Sequence, residues 1–267
     1  MSAAADIKIE IRDLTMAYGS FVVMRDISAQ IKRGEIFIIM GGSGCGKSTL
    51  LRHMIGLKEP AQGDILYDGV PFWKSDDDVR QQKLRSFGVL FQSGALWSSM
   101  TLAENIGLVL GEYTEFSPVE IRDIAQLKLA LVGLKGFEDY YPAEISGGMC
   151  KRAGLARALA LDPDVLFFDE PSAGLDPISS RNLDELILQL RDSLGATFVV
   201  VTHELASIFT IADNSVFLDP NTRTMRAKGN PRELLKNSTD PAVREFLTRG
   251  DGAAQPGTDK PSSPQKL

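Results

Sequence analysis

The pattern of apolar and polar residues along the chain predicts an α/β fold with two kinds of strand. Residues 7–12 and 27–31 alternate between apolar and polar side chains, which is typical of half-buried strands in an antiparallel sheet. Other short runs are continuously apolar, at residues 36–40, 89–91, 165–168 and 198–201. Continuous runs indicate strands that are covered on both faces, as in a mainly parallel sheet flanked by helices.

The middle of the chain has the pattern of helices. Thr101-x-x-Glu104 resembles a capping box, and Ser117-Pro118 places an N-cap before a proline at the first helical position. We interpret residues from about 93 to 160 as a helical subdomain that is inserted into the α/β core.

The last third of the chain predicts one long helix and a tail. The helix starts after Asp176-Pro177, and its apolar face comprises Leu183, Leu186, Ile187, Leu190 and Leu194. Residues 250–267 are rich in Gly, Pro, Ser and Asp and predict a disordered tail. We find no internal repeat and therefore expect a single domain rather than a tandem pair.

Composition narrows the class of protein. The 267 residues are 43% hydrophobic and 24% charged, as in an ordinary soluble globular protein. A net charge of −6 argues against a nucleic-acid partner. No apolar run approaches the roughly 18 residues that span a bilayer, the first residues lack a signal-peptide pattern, and two cysteines make no disulfide framework. We therefore expect a cytosolic protein, with any membrane role supplied by a partner.

One glycine-rich segment predicts a phosphate-binding loop. Residues 41–48 match G-x-x-x-x-G-K-S between an apolar strand and a helix pattern. Backbone N–H groups of such a loop surround a phosphate, Lys47 reaches the outer phosphates, and the Ser48 hydroxyl ligates Mg²⁺. The alternative is a glycine-rich turn in an unrelated fold, which the flanking strand and helix disfavour. The candidate binding residues are Gly41, Gly42, Ser43, Gly44, Cys45, Gly46, Lys47, Ser48 and Thr49.

Three other strand ends carry candidate catalytic or metal-binding side chains. Asp169 follows a buried strand, where it can hold Mg²⁺, and Glu170 is a candidate general base for an attacking water. Gln92 is a candidate ligand of Mg²⁺ or water, and His203 a candidate contact of the outermost phosphate. Taken alone, each is more simply a strand end that reaches solvent; the phosphate loop favours the functional interpretation.

Two cysteines and a second histidine are less informative. Cys45 lies near a predicted helix N-terminus, which lowers a thiol pKa in some proteins, although it more simply fills a variable position of the loop. We interpret His53 and Cys150 as structural residues.

A second anion-binding site is predicted at Ser146-Gly147-Gly148. Ser146 is a natural N-cap, and the two glycines leave backbone N–H groups accessible at the start of a helix. One nucleotide needs only one phosphate loop, so this site suggests a phosphate delivered from elsewhere.

With these motifs the chain resembles the ABC-type ATPases over about residues 5–247. The resemblance implies a P-loop NTPase fold with a mainly parallel core sheet, an N-terminal antiparallel β subdomain and a helical subdomain. It also implies a homodimer that encloses two ATP with Mg²⁺, each between one chain's phosphate loop and the other chain's Ser-Gly-Gly. In that family's scheme Tyr18 stacks on adenine, Gln92 links core and helical subdomain, His203 is the switch histidine, and Asp176 lies in a loop that crosses the dimer interface. Met149 and Gly42 depart from the usual glutamine and proline, and neither removes a phosphate ligand.

Shorter segments resemble the MlaF-type ATPases of the Mla lipid-trafficking system. They are residues 91–97, 146–152 and 169–178. The resemblance implies an integral-membrane permease, an MCE-domain lipid-binding protein and a small STAS-domain partner. It places the chain on the cytoplasmic face of a bacterial inner membrane, where it would power phospholipid movement between membranes. The alternatives are an ABC ATPase for another cargo, a non-transport member of the superfamily, and a regulator without hydrolysis.

Overall fold

The computed structural model describes residues 6–249, which form two β-sheets and surrounding helices. The strands are β1 (Ile7–Tyr18), β2 (Phe21–Lys32), β3 (Ile36–Gly41), β4 (Gln62–Tyr67), β5 (Val70–Pro71), β6 (Phe87–Leu90), β7 (Val165–Asp169), β8 (Thr197–Val201), β9 (Asn214–Asp219) and β10 (Thr224–Lys228). The helices are α1 (Lys47–Met54), α2 (Asp77–Arg85), α3 (Leu102–Tyr113), α4 (Pro118–Leu131), α5 (Gly147–Ala158), α6 (Pro177–Leu194), α7 (Leu205–Ile211), α8 (Pro231–Asn237) and α9 (Pro241–Thr248).

The first sheet is antiparallel, with the strand order β2-β1-β4-β5. Ile9 lies opposite Ile31 and Ile11 opposite Ala29, and all four side chains are buried. The apolar positions of both strands therefore face the core, which confirms the two alternating strands that the sequence predicts.

The second sheet has the order β10-β9-β3-β8-β7-β6, in which only β10 is antiparallel to its neighbour. Successive residues of one strand enter different cores: Ile38 belongs to the cluster on the side of α3, α5 and α6, and Ile39 to the cluster beneath the first sheet and α1. Cover on both faces explains the continuously apolar runs and confirms the mainly parallel core sheet.

Helices α3, α4 and α5 lie between the end of β6 and the start of β7. The Thr101 hydroxyl accepts from the Glu104 N–H at 3.2 Å, and the Glu104 carboxylate accepts from the Thr101 N–H at 2.7 Å. Ser117 and Glu120 make the same reciprocal pair. Both predicted helix starts are therefore confirmed.

The sequence pattern overextends two elements. The run at residues 89–91 predicts a strand that includes Phe91, but β6 ends at Leu90 and Phe91 is exposed. Leu194, placed on the apolar face of α6, is 44% exposed. It is the last helical residue, and Gly195 in the left-handed conformation ends the helix there.

Several elements have no counterpart in the sequence prediction. They are β4, β5, β9, β10, α2, α7, α8 and α9. Residues 1–5 and the predicted tail at 250–267 lie outside the described residues. Within residues 6–249, no helix combines the length and apolar character that a membrane crossing requires.

Gly88 sets how closely β6 approaches its neighbours. A Cβ at this position would press on the Ala158 carbonyl at the end of α5 and lie 2.8 Å from the Leu166 side chain. We expect Gly88→Ala to lower the free energy of unfolding by about 1–3 kcal/mol, because backbone and packed side chain cannot yield. Chemical denaturation measures this difference.

Gly111→Ala is the matched control. Gly111 lies inside α3, where an added methyl group meets Ile121 at an ordinary 3.8 Å. Alanine is the better helix former, so this variant is expected to be neutral or more stable by up to about 1 kcal/mol. Equal stability of the two variants would contradict the assigned role of Gly88.

Candidate functional site

The loop between β3 and α1 folds around two glycines that no other residue replaces without strain. Gly46, the N-cap of α1, has φ +92° and lies against the Val23 side chain. Gly41 has φ +151°, and a Cβ there would lie 2.6 Å from the Cys45 sulfur. L side chains rarely adopt these backbone conformations. The loop can therefore bring its backbone N–H groups close to a bound anion at the positive end of α1.

Lys47 lies within this loop and is only 7% exposed. Its ammonium donates to the carbonyl oxygens of Gly41 and Gly42, both at 3.0 Å. The backbone carbonyls of the loop thus hold the lysine ammonium in place. The lysine charge and the backbone N–H groups of the loop lie close to the same space, where an anion would bind.

Ser48 and Asp169 meet beside the loop. The Ser48 hydroxyl donates to the Asp169 carboxylate at 2.9 Å, which joins the first turn of α1 to the end of β7. Hydroxyl and carboxylate oxygens are the donors that Mg²⁺ prefers, so the pair suits that ion. Within residues 6–249 no three His, Cys, Asp or Glu side chains cluster as a metal site on their own.

Glu170 and His203 form a second pair at the same edge of the sheet. The Glu170 N–H donates to the Val201 carbonyl at 2.8 Å, which holds the ends of β7 and β8 together. The His203 Nδ1 then lies 2.9 and 3.0 Å from the two Glu170 carboxylate oxygens. Glu170 has φ +49°, a conformation that a non-glycine residue rarely adopts and that is often found at functional sites. The sequence predicts both residues for the site but not this contact.

A cleft of about 610 Å³ joins these groups. Among the predicted residues it is lined by Tyr18, the loop from Gly42 to Thr49, Gln92, Glu170 and His203. The Tyr18 ring is 46% exposed, and the Lys58 ammonium lies 4.2 Å from its centroid. The lysine lies over the ring, and the exposed ring lines the cleft, where it can stack on a flat ligand.

Three residues of the cleft were not among the predicted site residues. They are Phe21, Val23 and Arg249. Phe21 follows Tyr18 across the turn between β1 and β2 and is 56% exposed. Its nearness to Tyr18 in the sequence is the signal that could have found it. Arg249 follows α9, beyond the predicted domain boundary, and the sequence carries no signal for it.

The Ser-Gly-Gly segment lies outside this cleft, although it has the predicted helix-start geometry. Ser146 caps α5 by accepting from the Met149 N–H at 3.3 Å. Ser146 and Gly148 line a separate small cavity. Asp176 is also a cap, since its carboxylate accepts from the Ile178 and Ser179 N–H groups at 3.0 Å. Within one chain, the structure therefore separates Ser146, Gly147, Gly148 and Asp176 from the phosphate loop.

The thiol pKa of Cys45 is not lowered, so the simpler interpretation of Cys45 as a residue that fills a variable position of the loop remains. Cys45 is 2% exposed, and burial raises its pKa despite the nearby Lys47 charge. Desolvation of the thiolate outweighs the helix N-terminus. Burial also raises the pKa of Cys150, and His53 is buried with its Nδ1 on the Lys58 carbonyl.

Comparison with known proteins agrees with this geometry. Residues 24–173 match the family model described as ABC transporter. The chain is 39% identical over 246 residues to the intermembrane phospholipid transport system ATP-binding protein MlaF of Escherichia coli K12, covering 92% of the chain and 89% of that relative. It is 43% identical over 241 residues, 90% of the chain, to the "Probable ribonucleotide transport ATP-binding protein mkl" of Mycobacterium tuberculosis H37Rv. The chain spans 66% of the length of this mycobacterial relative.

Solved structures show the same architecture. The chain superposes with a TM-score of 0.79 and 28% identity on cbiO1 from Clostridium perfringens, part of the ABC transporter complex cbiONQ, covering 91% of the chain and 96% of that structure. The TM-score is 0.74, also at 28% identity, with a dimeric post-hydrolysis state of an ATP-binding cassette bound to ADP and Pi, covering 83% of the chain and 98% of that structure.

The environment of Cys45 predicts slow chemistry at its thiol. Because burial limits access and raises its pKa, we expect the native chain to alkylate at Cys45 at least about tenfold more slowly than the unfolded chain at pH 7.5. Mass spectrometry of the Cys45 peptide after timed treatment with iodoacetamide measures the rate. Labelling of Cys45 at the unfolded rate would show that the thiol is accessible and ionised in the folded loop.

Proposed function

The chain belongs to the ABC transporter family, and we propose that two copies bind two ATP between them and hydrolyse them to drive a membrane permease. One observation carries the dimer: the phosphate loop and the capped N-terminus of α5 are both built to bind anions, yet they lie in separate places on one chain. A second chain in the opposite orientation would bring its Ser146-Gly147-Gly148 and Asp176 to the exposed side of the bound nucleotide.

The cleft suits ATP in its charge and shape. The backbone of residues 41–49 and the ammonium of Lys47 would hold the phosphates, and the Tyr18 ring would stack on the adenine. Ser48, Asp169 and Gln92 would hold Mg²⁺ through their side-chain oxygens, directly or through water. When bound, Mg²⁺ neutralises charge on the outer phosphates during transfer to water.

Glu170 is the proposed general base, and His203 its partner. The carboxylate is largely enclosed and points into the cleft, where it can accept the proton of an attacking water. His203 contacts that carboxylate through Nδ1, which leaves Nε2 as the nitrogen for the outermost phosphate.

Glu170→Gln tests the base. We expect ATP hydrolysis to fall by roughly 10²–10⁴, because the amide cannot accept the proton, while ATP binding is retained. Turnover at saturating ATP and equilibrium binding measure the two quantities separately. Glu204→Gln is the control: it removes a carboxylate that lies 3.7 Å from the other nitrogen of His203 and does not line the cleft.

Two results would contradict the assignment. Near-normal turnover in Glu170→Gln would exclude Glu170 as the base. A wild-type chain that binds ATP but hydrolyses none would instead indicate a nucleotide-dependent regulator. An intact pair of acidic residues after β7 argues against that alternative.

ATP would favour the closed dimer because its outermost phosphate contacts groups of both chains only in that state. A ligand shifts such an equilibrium only through a difference in affinity between the two states. Hydrolysis removes the bridge and lets the chains separate.

The permease contact is proposed for residues 93–100 on the helical side of the cleft. Trp97 in this segment is 59% exposed, and Phe91 just before it is also exposed. The Trp97 N–H and carbonyl are held by Asn105 of α3, at 2.7 and 3.1 Å, so the segment is fixed to the helices. This contact would place the chain peripherally on the cytoplasmic face of a bacterial inner membrane.

Phospholipid is the proposed cargo, with an MCE-domain lipid-binding protein and a STAS-domain protein as further partners. The support is the 39% identity with MlaF over nearly the full length of both chains. The alternative cargo comes from the mycobacterial relative, whose name refers to ribonucleotide transport and whose identity is higher over a smaller share of its length.

A pull-down of the tagged full chain from native membranes in mild detergent tests the cargo. We expect a permease, an MCE-domain protein and phospholipid, identified by mass spectrometry. An untagged strain is the control for unspecific capture of lipid and membrane protein. A different permease without an MCE-domain protein would exclude the lipid cargo and retain the ATPase; recovery with ribosomes or DNA would overturn the transporter function.

A further inference from the structure

Helix α5 is fastened to the loop that follows β6 by three residues on one of its sides. Lys151, Gly154 and Arg157 recur every third residue along the helix. The Arg157 guanidinium donates to the carbonyls of Gly94 at 3.1 Å and Ala95 at 2.6 Å. A Cβ on Gly154 would lie 3.0 Å from the Gly94 carbonyl oxygen, so the helix and the loop touch along their backbones.

Lys151 makes the contact that reaches the nucleotide cleft. It is only 6% exposed, and its ammonium donates to the backbone carbonyl of Gln92. The same ammonium lies 3.5 Å from the backbone carbonyl of Glu170. One side chain of α5 thus holds Gln92, two residues after β6, and Glu170, the residue after β7, and the side chains of both line the cleft.

A buried ammonium of this kind carries a desolvation cost. Burial lowers the pKa of Lys151, while the charges of Glu170 and Asp169 raise it. Carbonyl oxygens and the nearby acidic pair offset the cost of removing the charge from water. An uncharged residue at this position would avoid the desolvation cost. The buried lysine is therefore explained by the two backbone segments that its ammonium holds, those of Gln92 and Glu170.

The N-terminus of α5 and its second turn face different sites in the proposed dimer. Its N-terminus, capped by Ser146, would contact the nucleotide on the partner chain, whereas Lys151, one turn further on, contacts Gln92 and Glu170 of its own chain. Ser146 and Lys151 are five residues apart on one rigid helix, about 7.5 Å along its axis.

We infer that Lys151 is a positioning residue that couples the two ATP sites of the dimer. The inference rests on the proposed function. Nucleotide bound in a chain's own cleft fixes the positions of Gln92 and Glu170. Lys151 transmits these positions to α5. The N-terminus of α5 then contacts the partner's nucleotide in a favourable orientation. Coupling of this kind is a free energy between sites and is reciprocal.

Lys151→Met tests the coupling, because it keeps most of the length of the side chain and removes the charge and its hydrogen bonds. We expect the coupling factor between the two sites to fall about fivefold or more, seen as a Hill coefficient for ATP hydrolysis that falls towards 1. We expect kcat to fall about tenfold through misplaced Gln92 and Glu170. ATP affinity, measured by calorimetry in EDTA, should stay within about twofold, since Lys151 does not line the cleft.

The full chain, purified with its membrane partners, is used throughout. Lys128→Met is the matched control. Lys128 is 4% exposed and donates a hydrogen bond to Asp162 at 2.5 Å, but it contacts neither Gln92 nor Glu170. It should lower stability without changing the Hill coefficient. Lys151→Arg, which keeps the charge and can donate to both carbonyls, should restore most of the cooperativity.

The outcomes separate this inference from the proposed function. No hydrolysis by the wild-type complex would remove the proposed function itself. Hydrolysis without cooperativity in the wild type, or unchanged cooperativity in Lys151→Met, would overturn the coupling and leave the ATPase intact. If Lys151→Met does not fold, Lys151→Gln carries the test, because its side chain is polar but is shorter and supplies no charge to hold the Gln92 and Glu170 carbonyls.

Discussion

The parallel register of β3, β8 and β7 brings the candidate catalytic groups together. Ile39 lies opposite Val201, and Val201 lies opposite Asp169, so the three strands end at the same edge of the sheet. The phosphate loop, the acidic pair and the histidine are therefore neighbours because hydrogen bonds between the strands fix their levels.

Backbone oxygens hold two buried cations at this edge. Lys47 donates to the carbonyls of Gly41 and Gly42, and Lys151 to those of Gln92 and Glu170. A neutral backbone carbonyl can hold an ammonium in position without cancelling its charge, whereas a carboxylate would form an ion pair with it. Lys47 thus keeps its charge for the phosphates, while Lys151 joins segments of the chain that carry other groups of the site.

Sequence reasoning succeeded where a local pattern determines the structure. The glycine-rich turn between β3 and α1, the capping boxes at Thr101 and Ser117 and the continuously apolar strands other than the end of β6 each depend on a few adjacent residues, and the structure shows them. It could not decide the pKa of Cys45, which burial raises and which depends on the packing around the loop, not on the helix that follows it. Contacts between distant segments, such as that of His203 with Glu170, also leave no trace in either segment alone.

Glycine residues, as well as charged side chains, connect the core sheet to the helices. Gly88 lets β6 lie against the end of α5, and Gly154 lets α5 lie against Gly94. At each point the backbones meet without a side chain that could be compressed, so a displacement of one segment must move the other. A loop with flexible side chains between these segments would absorb the same displacement. The strand that leads to Gln92 and the helix that starts at Ser146 are therefore mechanically one unit, and a change at one nucleotide can reach the other through this contact.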